Sequence, residues 1–177
     1  MAEVEAAAEA PRTRDNREFD AAIGADASLL EEMKADLVSL YVGRELARRR
    51  YFTDAQLRAH YASGILRTLQ NNKPRREQPY NMMQLMQWNW FLDKKVLAFD
   101  PATARLSIDY GRYHQAVADL LKEVLALQDR GDRAAATAFI DRWGKWDDNL
   151  HGKVAANIRA QQRYRFRLFD YAALEGR

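Results

Sequence analysis

The stretch Ser28-Leu29-Leu30-Glu31-Glu32-Met33-Lys34-Ala35-Asp36-Leu37-Val38-Ser39-Leu40-Tyr41 decides the class of fold. Leu30, Met33, Leu37 and Tyr41 recur three and four residues apart, the spacing that collects side chains on one side of an α-helix. Ser28 and Glu31 stand as in a capping box, where each side chain satisfies a free backbone N–H at a helix start. The spacing predicts a helix from Ser28 to about Arg50 with one face in a core. On the same wheel Glu32 and Asp36 lie one above the other, opposite the apolar stripe, with Ser39 and Gly43 completing their face. Acids near a helix start ordinarily form a solvated face in the field of the helix dipole. The alternative is chemical: one carboxylate binds a metal and its neighbours orient other ligands.

Further along, Thr53-Asp54-Ala55-Gln56 predicts a second capping box, followed by Leu57, Tyr61, Ile65 and Leu69 on one stripe. Residues 71–79, with Pro74 and Pro79 around Lys73, Arg75 and Arg76, read as a polar loop. Met82 to Phe91 carries three Met and two Trp almost all round the wheel, which predicts a buried helix. Those side chains read as core rather than as a ligand box. Val96–Phe99 and Leu106–Ile108 flank Asp100-Pro101-Ala102-Thr103, the pattern of a small hairpin. A long helix from about Tyr110 to Asp129 should stop at Gly131. Asp132 should cap a short helix ending near Gly144, and a last helix is expected from about Asp147 to Arg163. Beyond it Tyr164, Phe166 and Leu168 alternate with Arg165 and Arg167, as in a strand.

Residues 1–20 are small, charged and aperiodic, and are expected to form a flexible lead-in. Residues 21–177 are expected to be a single helical domain. The fold class that follows is mainly α: a compact bundle of about six helices with a small β-hairpin and a possible C-terminal strand. The length of 177 residues suits one domain. Without Cys, disulfides and thiolate metal sites are excluded. A formal charge of +3 is too small to indicate nucleic acid by itself. Arg159, Arg163, Arg165 and Arg167 read as a charged edge that deters pairing. Contact with nucleic acid is the lesser reading of that run. No apolar run approaches the roughly 18 residues of a membrane span. Met1 to Pro11 lacks the basic-then-apolar order of a secretory signal, so a cytoplasmic location is expected. His60 and His114, beside Tyr61 and Tyr113 on amphipathic helices, are expected to be structural.

Glu31–Asp36 and the Leu-Val-Ser-Leu-Tyr that follows resemble the second zinc motif of the dipeptidyl-peptidase III family, Glu-Glu-x-(Lys/Arg)-Ala-(Asp/Glu). The resemblance extends through Asn89-Trp90-Phe91-Leu92-Asp93-Lys94, the hairpin, and Ala135-Ala136-Thr137-Ala138-Phe139. It covers about residues 18–171, the C-terminal and mostly helical part of such a zinc metallopeptidase, and the six-residue motif is its most specific portion. It implies that Glu32 is a zinc ligand and that Glu31 and Asp36 support histidine ligands. The substrate it implies is a peptide shortened from its N-terminus.

The family takes two more zinc ligands and its general base from a His-Glu-x-x-x-His or His-Glu-x-x-His motif before this segment. Here His60, His114 and His151 are far apart and none is followed by Glu. A catalytic zinc needs about three protein ligands and an open position, and a base for its bound water. Zinc is therefore expected in a complete enzyme and not in this chain alone, which should not hydrolyse peptides. Tyr80 and Gln84 stand where family members often carry a His and a nearby Arg that help to bind substrate. Two readings stay open. In one, the chain is the C-terminal portion of a metallopeptidase whose N-terminal segment or complementary chain is its partner. In the other it is a non-catalytic helical scaffold or binding module, with a nucleic-acid-binding helical domain as a third reading.

Overall fold

The computed structural model describes residues 16–67, 73–103 and 105–161. The first helix, α1 (Asn16–Ile23), runs through a 3-10 turn (Gly24–Asp26) into the long helix α2 (Ala27–Arg48). Then follow α3 (Asp54–Arg67) and α4 (Pro79–Asp93), and a hairpin of β1 (Leu97–Asp100) and β2 (Arg105–Ile108). The chain continues through α5 (Tyr110–Arg130), α6 (Arg133–Trp143), a π-helical turn (Asp148–Gly152) and α7 (Lys153–Gln161). The expected mainly α bundle with one small hairpin is what forms.

Helix α2 is the centre of the bundle. Its Leu30, Met33 and Leu37 are fully buried, and Tyr41 packs at the edge of the same core. Helices α4 and α5 close over that stripe with Met82, Leu85, Met86, Trp88 and Phe91 from one and Tyr113, Val117, Leu120 and Val124 from the other. Helix α3 adds Tyr61 and Ile65, and the Tyr61 ring stacks on Tyr113 at 4.1 Å. Burying such side chains contributes about 1.5–3 kcal/mol each, which makes the α2–α4–α5 contact the main source of stability.

The second capping box forms as the sequence demands: the Thr53 N–H donates to Gln56 Oε1 at 2.9 Å, and the Gln56 N–H to Thr53 Oγ1 at 3.2 Å. Gly131 ends α5 in the left-handed conformation with φ of 60°, and Asp132 accepts from the Ala135 N–H at 3.0 Å to start α6. The hairpin pairs Leu97 with Ile108 and Asp100 with Arg105 in antiparallel register.

Three expectations are corrected. The Ser28–Glu31 capping box does not form, because the backbone is already helical when it reaches Ser28: the Ala27 N–H bonds to Gly24 O. Residues 16–20, expected to belong to the flexible lead-in, instead form the start of α1, and Phe19 is buried in the core. The last helix begins later than Asp147, after the π-turn. Residues 1–15, Leu69 and the expected strand over 164–168 lie outside the described residues. No helix among the described residues is long and apolar enough to cross a membrane.

Two contacts far apart in sequence fix the front of the bundle. Gly24 has φ of 76°, and a Cβ there would sit 2.9 Å from Arg133 Nη2, so the Arg133 guanidinium lies directly against its backbone. That guanidinium donates to Ala21 O and Ala22 O, satisfying carbonyls at the end of α1. Arg76, from the loop before α4, gives two hydrogen bonds to Asp26 at 2.9 and 2.6 Å and one to Asp141 at 2.6 Å. The Asp26 carboxyl is held below the usual carboxylate range by this guanidinium.

Candidate functional site

The three acids of the motif do not share one surface. Glu31 turns towards α5, where Gln128 Nε2 donates to it at 2.6 Å and Lys34 Nζ pairs with it at 2.8 Å. Glu32 and Asp36, one turn apart, turn towards α4. The Tyr80 hydroxyl donates to Glu32 Oε1 at 2.7 Å, and Gln87 Nε2 donates to Asp36 Oδ2 at 2.9 Å. All three acids are half-buried. A step of one residue rotates a helical side chain by roughly 100°, enough to send Glu31 and Glu32 to different neighbours.

The donors are set by the start and path of α4. Pro79 occupies the first helical turn, where its missing N–H costs nothing. Ahead of it the Arg75 N–H donates to Gln78 Oε1 at 3.0 Å and the Gln78 N–H to Arg75 O at 3.0 Å, closing the turn. Tyr80 therefore stands at the open end of α4 beside Glu32, while Gln87, two turns further, is buried. The Glu32 carboxylate pushes the Tyr80 phenol up, through the hydrogen bond and the repulsion a phenolate would meet. Gln84 lies between them, half-buried. Gln87 escaped the sequence reading, although a lone amide in a helix otherwise filled with Met and Trp is a signal that a polar partner faces it.

The histidines are placed elsewhere. The His114 ring stacks on Tyr41 at 4.9 Å, and His60 packs against Gly43. Tyr41 and Gly43 are nine and eleven residues beyond Glu32, roughly 13–17 Å along the helix axis. His151 is buried on the π-turn between the rings of Trp88 and Trp146, at 4.9 and 5.1 Å. Its Nδ1 accepts from the Asp147 N–H at 2.9 Å, so the proton sits on Nε2, which donates to Asn89 Oδ1 at 2.8 Å. Asn89 Nδ2 in turn donates to Trp143 O and Lys145 O at 2.7 and 2.8 Å. Burial pushes His114 and His151 below the ordinary imidazole range. Both are neutral structural side chains at neutral pH.

No group of three or more His, Cys, Asp or Glu side chains that could hold a metal is gathered among the described residues. Glu32 offers one carboxylate with a phenol on it. By themselves these residues do not make a zinc site. What they provide is a half-exposed carboxylate held in place from α4, with a second, also held, one turn away.

No protein-family model matches the chain. Its fold is similar to that of DPP III from Caldithrix abyssi: the TM-score is 0.66 at 22% identity, over 77% of this chain and 26% of that one. It is also 25% identical over 116 residues to Nudix hydrolase 3 of Arabidopsis thaliana, a match that takes in 66% of this chain and 15% of the plant protein. The chain thus spans about a quarter of the solved structure and about a seventh of the plant protein. The likeness of structure establishes a shared helical fold, the one that the sequence resemblance implied.

Proposed function

We propose that this helical domain contributes the carboxylate ligand, Glu32, to the zinc site of a dipeptidyl-peptidase III-like metallopeptidase. The two histidine ligands and the general base would come from a further polypeptide segment that docks on the α2–α4 side. The observation that supports this reading is that a chain with a DPP III-like fold carries the run Glu-Glu-Met-Lys-Ala-Asp on its central helix. Glu32 is half-exposed and accepts from a neutral phenol, so it is open to an approaching cation in a way that an ion-paired core acid is not. Asp36, steadied by Gln87, stands one turn on, where a carboxylate could accept the free N–H of an incoming imidazole. The peptide substrate, the zinc and the second segment all belong to this proposal.

The test is made on the species present in native cells. Its mass, its zinc content and its release of dipeptides from peptide N-termini are measured with and without Glu32→Gln. The expected species contains this 20.5 kDa chain together with histidine-bearing polypeptide and zinc. Glu32→Gln should remove zinc and activity together. Asp36→Asn should weaken both by about 10–100-fold, as loss of a group behind a ligand does. The chain purified alone should show no sub-micromolar zinc binding in calorimetric titration.

A second reading has one observation in its favour: Tyr80 and Gln87 satisfy Glu32 and Asp36 with no metal required. A native species that is this chain alone, zinc-free and unaffected by Glu32→Gln, would make it a non-catalytic scaffold derived from such an enzyme.

A further inference from the structure

The corner between α2 and α3 is built against local preference. Helix α2 ends in a Schellman motif: the Arg50 N–H donates to Ala47 O and the Tyr51 N–H to Leu46 O, both at 2.9 Å. The motif puts Arg50 in the left-handed region, with φ of 65°, where Gly or Asn is the ordinary choice. It also sets residue 51 where an apolar side chain usually folds back on the last turn. Tyr51 does not fold back: at 73% it is the most exposed large hydrophobic among the described residues. Two neighbouring positions thus hold side chains that folding alone would not select.

Charge gathers at the same corner. From residue 44 to residue 58 the chain carries five arginines against Glu45 and Asp54, a surplus of three, equal to the formal charge of the whole protein. Cations at a helix end ordinarily answer the helix dipole, and one or two would meet that need. Here Glu45 braces a pair of them. Arg48 Nε donates to Glu45 Oε2 at 2.7 Å and its Nη2 to Oε1 at 2.9 Å, while Arg49 Nε donates to Oε1 at 2.6 Å. One carboxylate does not neutralise two guanidinia, and these side chains remain 74% and 65% exposed. Arg50 adds a further exposed cation. Braced guanidinia take phosphate oxygens well, and an exposed ring offers a face to an unpaired base. A single ring is too little apolar surface to anchor on a membrane. An acidic peptide would use the arginines and leave Tyr51 idle.

We propose that the α2–α3 corner binds single-stranded nucleic acid, with Arg48, Arg49 and Arg50 on phosphates and a base stacked on Tyr51. Arg50 lies roughly 27 Å beyond Glu32 along the helix axis, so this site does not depend on the metallopeptidase reading.

Fluorescence anisotropy of a labelled oligo-dT of about 12 nucleotides, titrated with the full chain between about 50 and about 200 mM salt, tests the site. Dissociation constants of about 1–100 µM are expected, and about three phosphate contacts should give a slope of log K against log salt near −2. Arg50→Gly should weaken binding about threefold to tenfold and make the slope shallower. Its melting temperature should hold or rise, because Gly suits the left-handed position better, so lost binding cannot be blamed on lost folding. Tyr51→Ser should weaken binding about tenfold with the slope unchanged, since stacking releases no counterions. No binding at about 500 µM protein and the lowest salt would overturn the proposal. So would binding that both variants leave intact, which would move the contact to another basic run such as Arg163 and Arg165. Equal affinity for a DNA duplex, for phosphatidylserine vesicles or for an oligo-glutamate peptide would overturn it as well.

Discussion

Replacing Asn89 by Ala removes one side chain that holds three groups in place, two backbone carbonyls and an imidazole. Asn89 Nδ2 donates to Trp143 O and Lys145 O, and Asn89 Oδ1 receives the Nε2 proton of His151. The variant leaves each of these without its partner. His151 is 2% exposed, so its stranded N–H bears nearly the whole cost of an unmet buried donor, about 1–3 kcal/mol. The Trp143 carbonyl is partly buried and retains part of that cost, whereas the Lys145 carbonyl is open to water and loses little. The expected loss is about 2–4 kcal/mol. A domain of this length moves by about 2–4 °C per kcal/mol, so the melting temperature should fall by roughly 5–15 °C. Urea unfolding followed by near-ultraviolet circular dichroism suits the case, since Trp88 and Trp146 flank His151. Asn89→Asp should be no better than Ala above neutral pH, because it sets an oxygen against two carbonyls. A loss under about 0.5 kcal/mol for Asn89→Ala would refute the reasoning, for surface substitutions fall in that range.

Arg76→Met should cost about 1–2 kcal/mol, less than breaking a fully buried ion pair because the guanidinium is partly solvated. Asp26 has its carboxyl lowered by Arg76, so its contribution is present above the unfolded value of about 3.9 and is lost as pH falls through the lower folded value. Acid-unfolding midpoints of the variant should lose that dependence. His114 and His151 are depressed by burial, so the native state favours their neutral forms. Stability should be full above about pH 6.5 and decline as the unfolded chain takes up protons below it, with a shallower decline in His151→Gln. Among the tyrosines, Tyr80 should ionise above the ordinary phenol range in an ultraviolet titration, and Glu32→Gln should return it towards that range.

How much was legible in the sequence depended on the range over which each feature is decided. The Thr53–Gln56 box, the Gly131 stop and the Asp132 cap are settled within four residues of chain, and all three formed as read. The buried character of α4 and the hairpin pairing were equally local. Ser28 and Glu31 carry the same signature as Thr53 and Gln56, yet no box forms, since the chain before Ser28 is already helical. Phe19 gave no period to detect, being a single aromatic in a charged stretch. Arg76 was read as a loop cation because its partners, Asp26 and Asp141, stand 50 and 65 residues away. The division of the motif acids between two neighbouring helices is likewise fixed by what packs on each side of α2. A wheel gives their angles but not the side chains that meet them.

That division separates what the fold needs from what it does not. Asn89 fastens α6 to the π-turn, Trp90 Nε1 donates to Ala116 O at 2.9 Å, and Ala136 is fully buried. Each of these residues in the family-like stretches has a packing role that any protein with this bundle would have to fill, whatever its chemistry. Their resemblance to a peptidase is therefore a statement about architecture. Glu31 is similar, because it ties α2 to α5 through Gln128. Glu32 is different. It touches a phenol that is itself 57% exposed, and an Ala at that position would remove the Tyr80 hydrogen bond but leave the buried core and the helix caps in place. A half-exposed carboxylate that the fold can do without is where a functional demand becomes visible, and so the zinc-ligand proposal rests on Glu32 more than on the longer stretches of likeness around it. Stability measurements can separate the two kinds of residue: Glu32→Ala should stay within about 0.5 kcal/mol of the parent chain, as surface substitutions do, while Asn89→Ala should not.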